Sequence, residues 1–249
     1  MLNFLHIPKC GGSTIRQYIR ARFTKDIKNN SHFYSIFVYG SKGRIGTYNL
    51  SRLTNEISEF DSKSNHLLGV VGHYSYQELR DFSGASNFYG NLFSIVRNPI
   101  DRIISNLNYL KVNISHPGNK FANSITQEKL MDYLISYARN SNGANYQCNM
   151  LGAGFRVNQI ASQDDIINSV LINLNVYKLE SSSLAIRNHV VNLGLDLKID
   201  KKNITKDVVV EESIKSSLQF LSVNLLKDSD MSLLHDIYRN DFLLYELAS

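Results

Sequence analysis

No apolar run in the chain approaches the roughly 20 residues that a bilayer-spanning helix needs, which excludes a helical membrane protein. Only two cysteines occur, Cys10 and Cys148, too few and too far apart for a disulfide framework, and this suits a reducing compartment. There is no HExxH or CxxC string and the 7 histidines are dispersed, so no metal-ligand spacing is present. The nucleotide-triphosphate loop G-x-x-x-x-G-K-[ST] is absent as well. Internal repeats, low-complexity tracts and an interdomain linker are missing, and the length suits one domain over residues 1–249. No basic leader with an apolar segment precedes the first candidate strand, since Met1-Leu2-Asn3 runs straight into it; the expectation is a cytoplasmic protein.

What is present is an ordinary globular composition, 43% hydrophobic and 20% charged, with a net charge of +5. The charge is unevenly placed. Residues 1–60 carry nine Lys/Arg against three Asp/Glu, whereas residues 207–249 carry three against eight. A positive field at the N-terminal end favours encounters with anions. The basic residues are scattered among apolar ones rather than clustered, which argues against nucleic acid as the partner.

Four short runs rich in apolar, β-branched and aromatic residues read as buried parallel strands: 2–7, 66–72, 91–96 and 175–179. Helical patterns follow at 12–23, 76–81, 99–113, 125–140, 163–174, 182–193, 214–227 and 231–247. Ser124-Ile125-Thr126-Gln127 fits a capping box, Ser162 precedes an acidic first turn, and Pro99 after Asn98 marks another start. Alternating strands and helices predict an α/β fold, a three-layer sandwich around a mainly parallel sheet. The polar span 25–64 has three glycines and only a weak helical pattern near 50–60, and reads as a substrate-side excursion.

Two strand-to-helix junctions carry the chemistry. In "FLHIPKCGGSTIRQYI" (4–19) a strand ends in a glycine-bearing turn and opens a helix, an arrangement that converges backbone N–H groups on an anion. Lys9 precedes the glycines instead of following them, so the ligand geometry differs from that of the triphosphate loop. In "FSIVRNPIDRIISNLNYL" (93–110), Arg97 stands at the strand exit, where a guanidinium can clamp a phosphate with two parallel hydrogen bonds; Ser105, two turns on, adds a hydroxyl. Two such turns can serve one ligand with two separated anionic groups.

The first motif resembles the 5′-phosphosulfate loop, and the second the 3′-phosphate motif, of sulfotransferases that use 3′-phosphoadenosine 5′-phosphosulfate (PAPS). "HIPKCGGST" is most similar to the carbohydrate branch that includes heparan sulfate 2-O-sulfotransferase and related bacterial enzymes. "LGVVGHYSYQELRDF" (68–82) looks like the family segment in which a histidine after a glycine is the catalytic base. The resemblance implies a P-loop NTPase-like fold in a bacterial cytoplasmic enzyme. It also implies that Lys9 binds the bridging and sulfuryl oxygens and that Cys10, Gly11, Gly12, Ser13 and Thr14 form the 5′-phosphate loop. Arg97 and Ser105 would hold the 3′-phosphate, and His73 would take the proton of an acceptor hydroxyl on a glycan or glycolipid. No metal is required, and the nucleotide product is 3′,5′-adenosine bisphosphate. Two looser matches place Asn145 and Gln147 of "ANYQCNMLGAG" (144–154) near acceptor or nucleotide, and Lys201, Lys202 or Asn203 of "LKIDKKNITKD" (197–207) near the adenosine.

Other readings stand beside this one. The chain could be a P-loop-like nucleotide kinase or NTPase, or a non-catalytic module that keeps the nucleotide cleft. Arg97 could pair with Asp101, and Lys9 could be merely solvated. His6 reads as structural, as do Asp101 and Arg102. Cys10 near a helix N-terminus would be a nucleophile only with a partner base, and none is adjacent. Tyr238, Phe242 and Tyr245 recur at helical spacing and read as core.

Overall fold

The computed structural model describes residues 3–12, 15, 34–38, 67–72, 75–77, 92–140, 143–156, 158–181, 186, 188–189 and 219–249. Five parallel strands form one sheet: β1 (Asn3–Leu5), β2 (Tyr34–Val38), β3 (Leu67–Gly72), β4 (Leu92–Val96) and β5 (Asn175–Lys178), in the order β2-β3-β1-β4-β5. Four of the strands coincide with the predicted apolar runs. The fifth, β2, lies inside the span read as an excursion, where "YSIFV" supplies the β-branched and aromatic residues of a strand.

Strand order decides where a ligand can bind. After β1 the chain travels to β2, beyond β3, whereas after β4 it travels the other way to β5. The connections leaving β1 and β4 therefore diverge, and the crevice outside the carboxyl ends of these two neighbours is the topological switch point of the sheet. In register, Leu5 faces Ser94 on one side and Gly72 on the other. The buried Ser94 hydroxyl donates to the Leu5 carbonyl at 2.7 Å, pinning β4 to β1 at that level.

The described helices are α1 (Pro99–Val112), α2 (Asn119–Ser124), α3 (Leu130–Arg139), α4 (Tyr146–Met150), α5 (Gln163–Ile166), α6 (Asp228–Ile237) and α7 (Arg239–Leu247). α1 begins as predicted: the Asn98 side chain accepts from the N–H groups of Ile100 and Asp101, and Pro99 takes the first helical position. α5 opens with a reciprocal capping box between Ser162 and Asp165, then loosens into a π-helical turn over Ile167–Leu171.

Three helical expectations need correction. Ser124 ends α2 instead of capping the next helix. Gln127, expected in a capping box, bonds both main-chain groups of Ser222 at 3.0 Å, and α3 starts only at Leu130. The helix expected over 214–227 is absent at its described end, where Val223–Leu225 form a single 3₁₀ turn. The pattern at 231–247 is two helices broken at Tyr238, whose ring is fully buried and whose hydroxyl donates to the Leu134 carbonyl at 2.6 Å. That bond from α3 anchors the break.

Buried side chains form two clusters. One surrounds β1, β4 and β5, with Phe4, Leu5, Phe93, Ile95 and Val176 packed on Cys148, Leu151 and Leu244; the other joins α1, α3, α6 and α7 through Ile103, Leu107, Leu134, Leu234 and Tyr238. Burial of such side chains, worth roughly 1.5–3 kcal/mol each, holds the helices against the sheet. No helix among the described residues is long and apolar enough to cross a membrane.

Candidate active site

The turn after β1 has an unusual backbone. Lys9 lies at φ 71° and Gly11 at φ 73°, and Lys9 is the only non-glycine residue with positive φ among the described residues. A left-handed lysine costs on the order of 1–2 kcal/mol, and such strain collects at ligand-binding turns. Gly11 is required by its φ and Gly12 by space. A Cβ on Gly12 would overlap the imidazole of His6, and one on Gly11 would meet Leu179, just after β5. His6 is buried, stacks on Phe4 with ring centroids 5.7 Å apart, and serves as the floor of the turn. Gly12 and Ile15 have helical backbone, as expected of the helix that follows.

Lys9 is half-buried, with its ammonium 4.2 Å from the centre of the Tyr109 ring in α1. Burial, reinforced by the Arg97 charge, lowers its pKa to about 8. Ser105 lies one helical turn before Tyr109, so it shares the face of α1 that Lys9 overlies, and its hydroxyl has no hydrogen-bond partner among the described residues. Arg97, one residue beyond β4, is within 3.5 Å of the Glu180 carboxylate through its Nε, yet that atom makes no hydrogen bond. Its acidic neighbour is Glu180 instead of Asp101. Tyr245 of α7 donates to the other Glu180 oxygen at 3.1 Å.

Gln147 joins the two turns. Its side-chain Oε1 accepts from the Arg97 N–H at 3.0 Å and from the Cys10 thiol at 3.4 Å, while its Nε2 donates to the Arg97 carbonyl at 2.8 Å. Lys9, Cys10, Ser105, Arg97 and Gln147 thus come together at the switch point.

Cys10 differs from its expected place in a ligand-binding loop. Its side chain is fully buried, its thiol is pushed by burial up to about 12, and its own N–H closes a turn onto the Ile7 carbonyl at 3.2 Å. It offers no nucleophile. Asn145 and Gln147 also turn inward: Gln147 is 0% exposed and Asn145 3%, and Asn145 donates to the Arg156 carbonyl at 2.8 Å while accepting from Asn240 at 3.0 Å. The side-chain hydrogen bonds of both are made within the fold, where they brace the walls of the crevice. Arg102 is buried and stacks at 4.2 Å over Tyr146, a packing role. Ser13, Thr14, His73, Lys201, Lys202 and Asn203 lie outside the described residues, although Gly72, just before His73, is level with Leu5 beside the turn.

A cavity of about 360 Å³ lies on the far side of Asn145, lined among others by Ile135, Arg139, Gln159, Asp236 and Arg239. Lys9 and Arg97 do not line it, so it is separate from the anion turns. No group of three His, Cys, Asp or Glu side chains among the described residues is arranged to hold a metal ion.

The lysine turn and the arginine turn thus flank the switch point of a parallel α/β sheet. The family model described as the sulfotransferase family matches residues 1–248, and the chain belongs to that family. It is therefore a transferase of the sulfuryl-transferring class. No curated protein matches the chain.

Proposed function

We infer that the protein transfers a sulfuryl group from PAPS to a hydroxyl on a carbohydrate, a glycan or glycolipid, by in-line displacement with His73 as base. The observation that carries this reading is the convergence of Lys9 and Arg97 at the β1–β4 switch point through Gln147 and Tyr109. The residues present fit a ligand with two anionic ends. The left-handed turn with its two glycines, and the Arg97 side chain that stays partly exposed beyond β4, supply donors at two separate points of the crevice. The parallel sheet supports a three-layer, P-loop-like sandwich as the scaffold.

When bound, the donor supplies an activated sulfuryl group on its 5′-phosphate and a 3′-phosphate as a second anchor. Lys9, mostly protonated at neutral pH with its pKa near 8, faces the charge that gathers on the phosphate oxygen as the sulfur–oxygen bond breaks. Gly11, Gly12, Ser13 and Thr14 lend main-chain and hydroxyl donors to the 5′ end, and Arg97 and Ser105 hold the 3′ end. His73 takes the acceptor's proton as its oxygen attacks, the role that imidazole most often fills in general base catalysis. Lys201, Lys202 and Asn203 complete the adenosine side, and Cys10, Asn145 and Gln147 brace the turns from within. Alignment and charge stabilisation supply most of the rate in this chemistry.

Calorimetry with 3′,5′-adenosine bisphosphate against ATP plus Mg²⁺ tests the reading. Binding of the bisphosphate that weakens at least tenfold in both Lys9→Ala and Arg97→Ala is expected; preference for ATP overturns it. A labelled-sulfate screen over glycans and glycolipids then identifies the acceptor class.

A further inference from the structure

Gln147 is placed as no packing residue needs to be. One buried amide engages both main-chain groups of Arg97, accepting from its N–H at 3.0 Å and donating to its carbonyl at 2.8 Å, and also receives the Cys10 thiol at 3.4 Å. Arg97 and Cys10 belong to different turns, 87 positions apart, so the contact registers one turn against the other. The amide is itself held from behind. Asp241 of α7, 1% exposed, accepts the Gln147 N–H at 3.0 Å and the Cys148 N–H at 2.9 Å, one carboxylate oxygen each, and so caps the start of α4 from another helix.

We propose that Gln147 is a positioning residue for donor binding, its amide fixing the Arg97 main chain relative to the Lys9–Gly12 turn so that one nucleotide meets both anion sites. This deepens, and rests on, the nucleotide reading above. A residue that only filled space here would be aliphatic; an amide suits because Arg97 has left the β-ladder and its part-buried N–H and carbonyl are both engaged by this one side chain. Asp241 fixes where the amide begins, and Gln147 fixes where the guanidinium starts from.

The charge logic of the amide makes the proposal testable. In Gln147→Glu the shape is kept. A protonated carboxyl reproduces the amide, its carbonyl accepting from Arg97 and its O–H donating to the Arg97 carbonyl; an ionised one sets a bare oxygen against that carbonyl. The titratable and charged groups around this position are the Cys10 thiol, Asp241, Arg97, Arg102, Tyr146, Glu180 and Lys9. Each is present in the wild type, so wild-type measurements at the same pH cancel their titration and that of the ligand.

The measurement is the preference for 3′,5′-adenosine bisphosphate over AMP, which reads the 3′-phosphate contact alone, by calorimetry at pH 6 and pH 8 on wild type, Gln147→Glu, Gln147→Leu and Arg97→Ala. The wild type should favour the bisphosphate at both pH values and Arg97→Ala at neither. Gln147→Glu should lose about tenfold of the preference at pH 8 and recover most of it at pH 6, and Gln147→Leu, where it folds, should lose it at both. A folded Gln147→Glu with wild-type preference at pH 8, or an equal loss at pH 6 and pH 8, overturns the positioning role. A wild type with no preference for the bisphosphate overturns the nucleotide reading instead, and the role with it.

Discussion

Replacing Lys9 by glycine should make the protein more stable while removing its ability to bind the donor. Two unfavourable contributions disappear. The left-handed backbone at φ 71° costs a lysine about 1–2 kcal/mol; glycine adopts it freely but loses about 0.5–1 kcal/mol more chain entropy on folding, leaving a gain of roughly 0.5–1 kcal/mol. The ammonium, lowered from 10.5 to about 8, is held at a cost of about 3 kcal/mol by the full shift, which the Tyr109 ring and partial exposure reduce to about 2. The net gain of about 2–3 kcal/mol raises Tm by roughly 4–12 °C for a chain of this size. The sign with pH follows from linkage. Between the folded pKa near 8 and the unfolded value of 10.5 the unfolded state binds more protons, so wild-type stability rises with pH across that window and the advantage of the variant shrinks. Differential scanning calorimetry at pH 7 and pH 10, with titrations of adenosine bisphosphate, measures both effects. A variant that melts below wild type at pH 7, or that binds the bisphosphate as tightly, would refute the reasoning.

Gly12→Ala should lower Tm by several degrees and weaken bisphosphate binding, because the added methyl overlaps the His6 ring and overpacking costs about 1–3 kcal/mol; a wild-type melting curve would count against the close contact. His73→Ala should cut sulfuryl transfer by about 10²–10⁴-fold with bisphosphate affinity unchanged, and full turnover would remove the base. Iodoacetamide at pH 8 should leave Cys10 unmodified in the folded protein, as mass spectrometry of peptides would show, since the thiol is buried and pushed up to about 12; rapid alkylation under native conditions would contradict that burial.

The parts of the fold that could be read from sequence are those whose signal is local. Continuous apolar runs marked β1, β3, β4 and β5, and Asn98-Pro99 marked the start of α1. The strand β2 escaped because its five residues sit in a polar span whose glycines dominate the pattern. The break at Tyr238 escaped for the opposite reason: Leu234, Tyr238 and Phe242 keep helical spacing across it, and the bond to Leu134 that anchors it comes from 104 positions away. Ser124–Gln127 satisfies the capping pattern, but Gln127 has a better partner in Ser222.

The site divides in the same way. Lys9, Arg97 and Ser105 were legible because strand-exit turns have a recognisable composition, and strand order then brought them together. The inward turn of Asn145 and Gln147, and the support of Asp241, were not, because most of their partners lie 50 to 137 positions away. Nor does any local pattern announce a lysine in the left-handed region. A pairing of Arg97 with Asp101 is an alternative that the sequence offers; the sheet order instead puts Glu180, beyond β5, beside the guanidinium.

The most direct measurement is a crystal structure of the protein with 3′,5′-adenosine bisphosphate. The account predicts one nucleotide per chain across the carboxyl ends of β1 and β4, its 5′-phosphate in the Lys9–Gly12 turn and its 3′-phosphate on Arg97 and Ser105. A bisphosphate bound elsewhere, or one that reaches only one of the two turns, would contradict it.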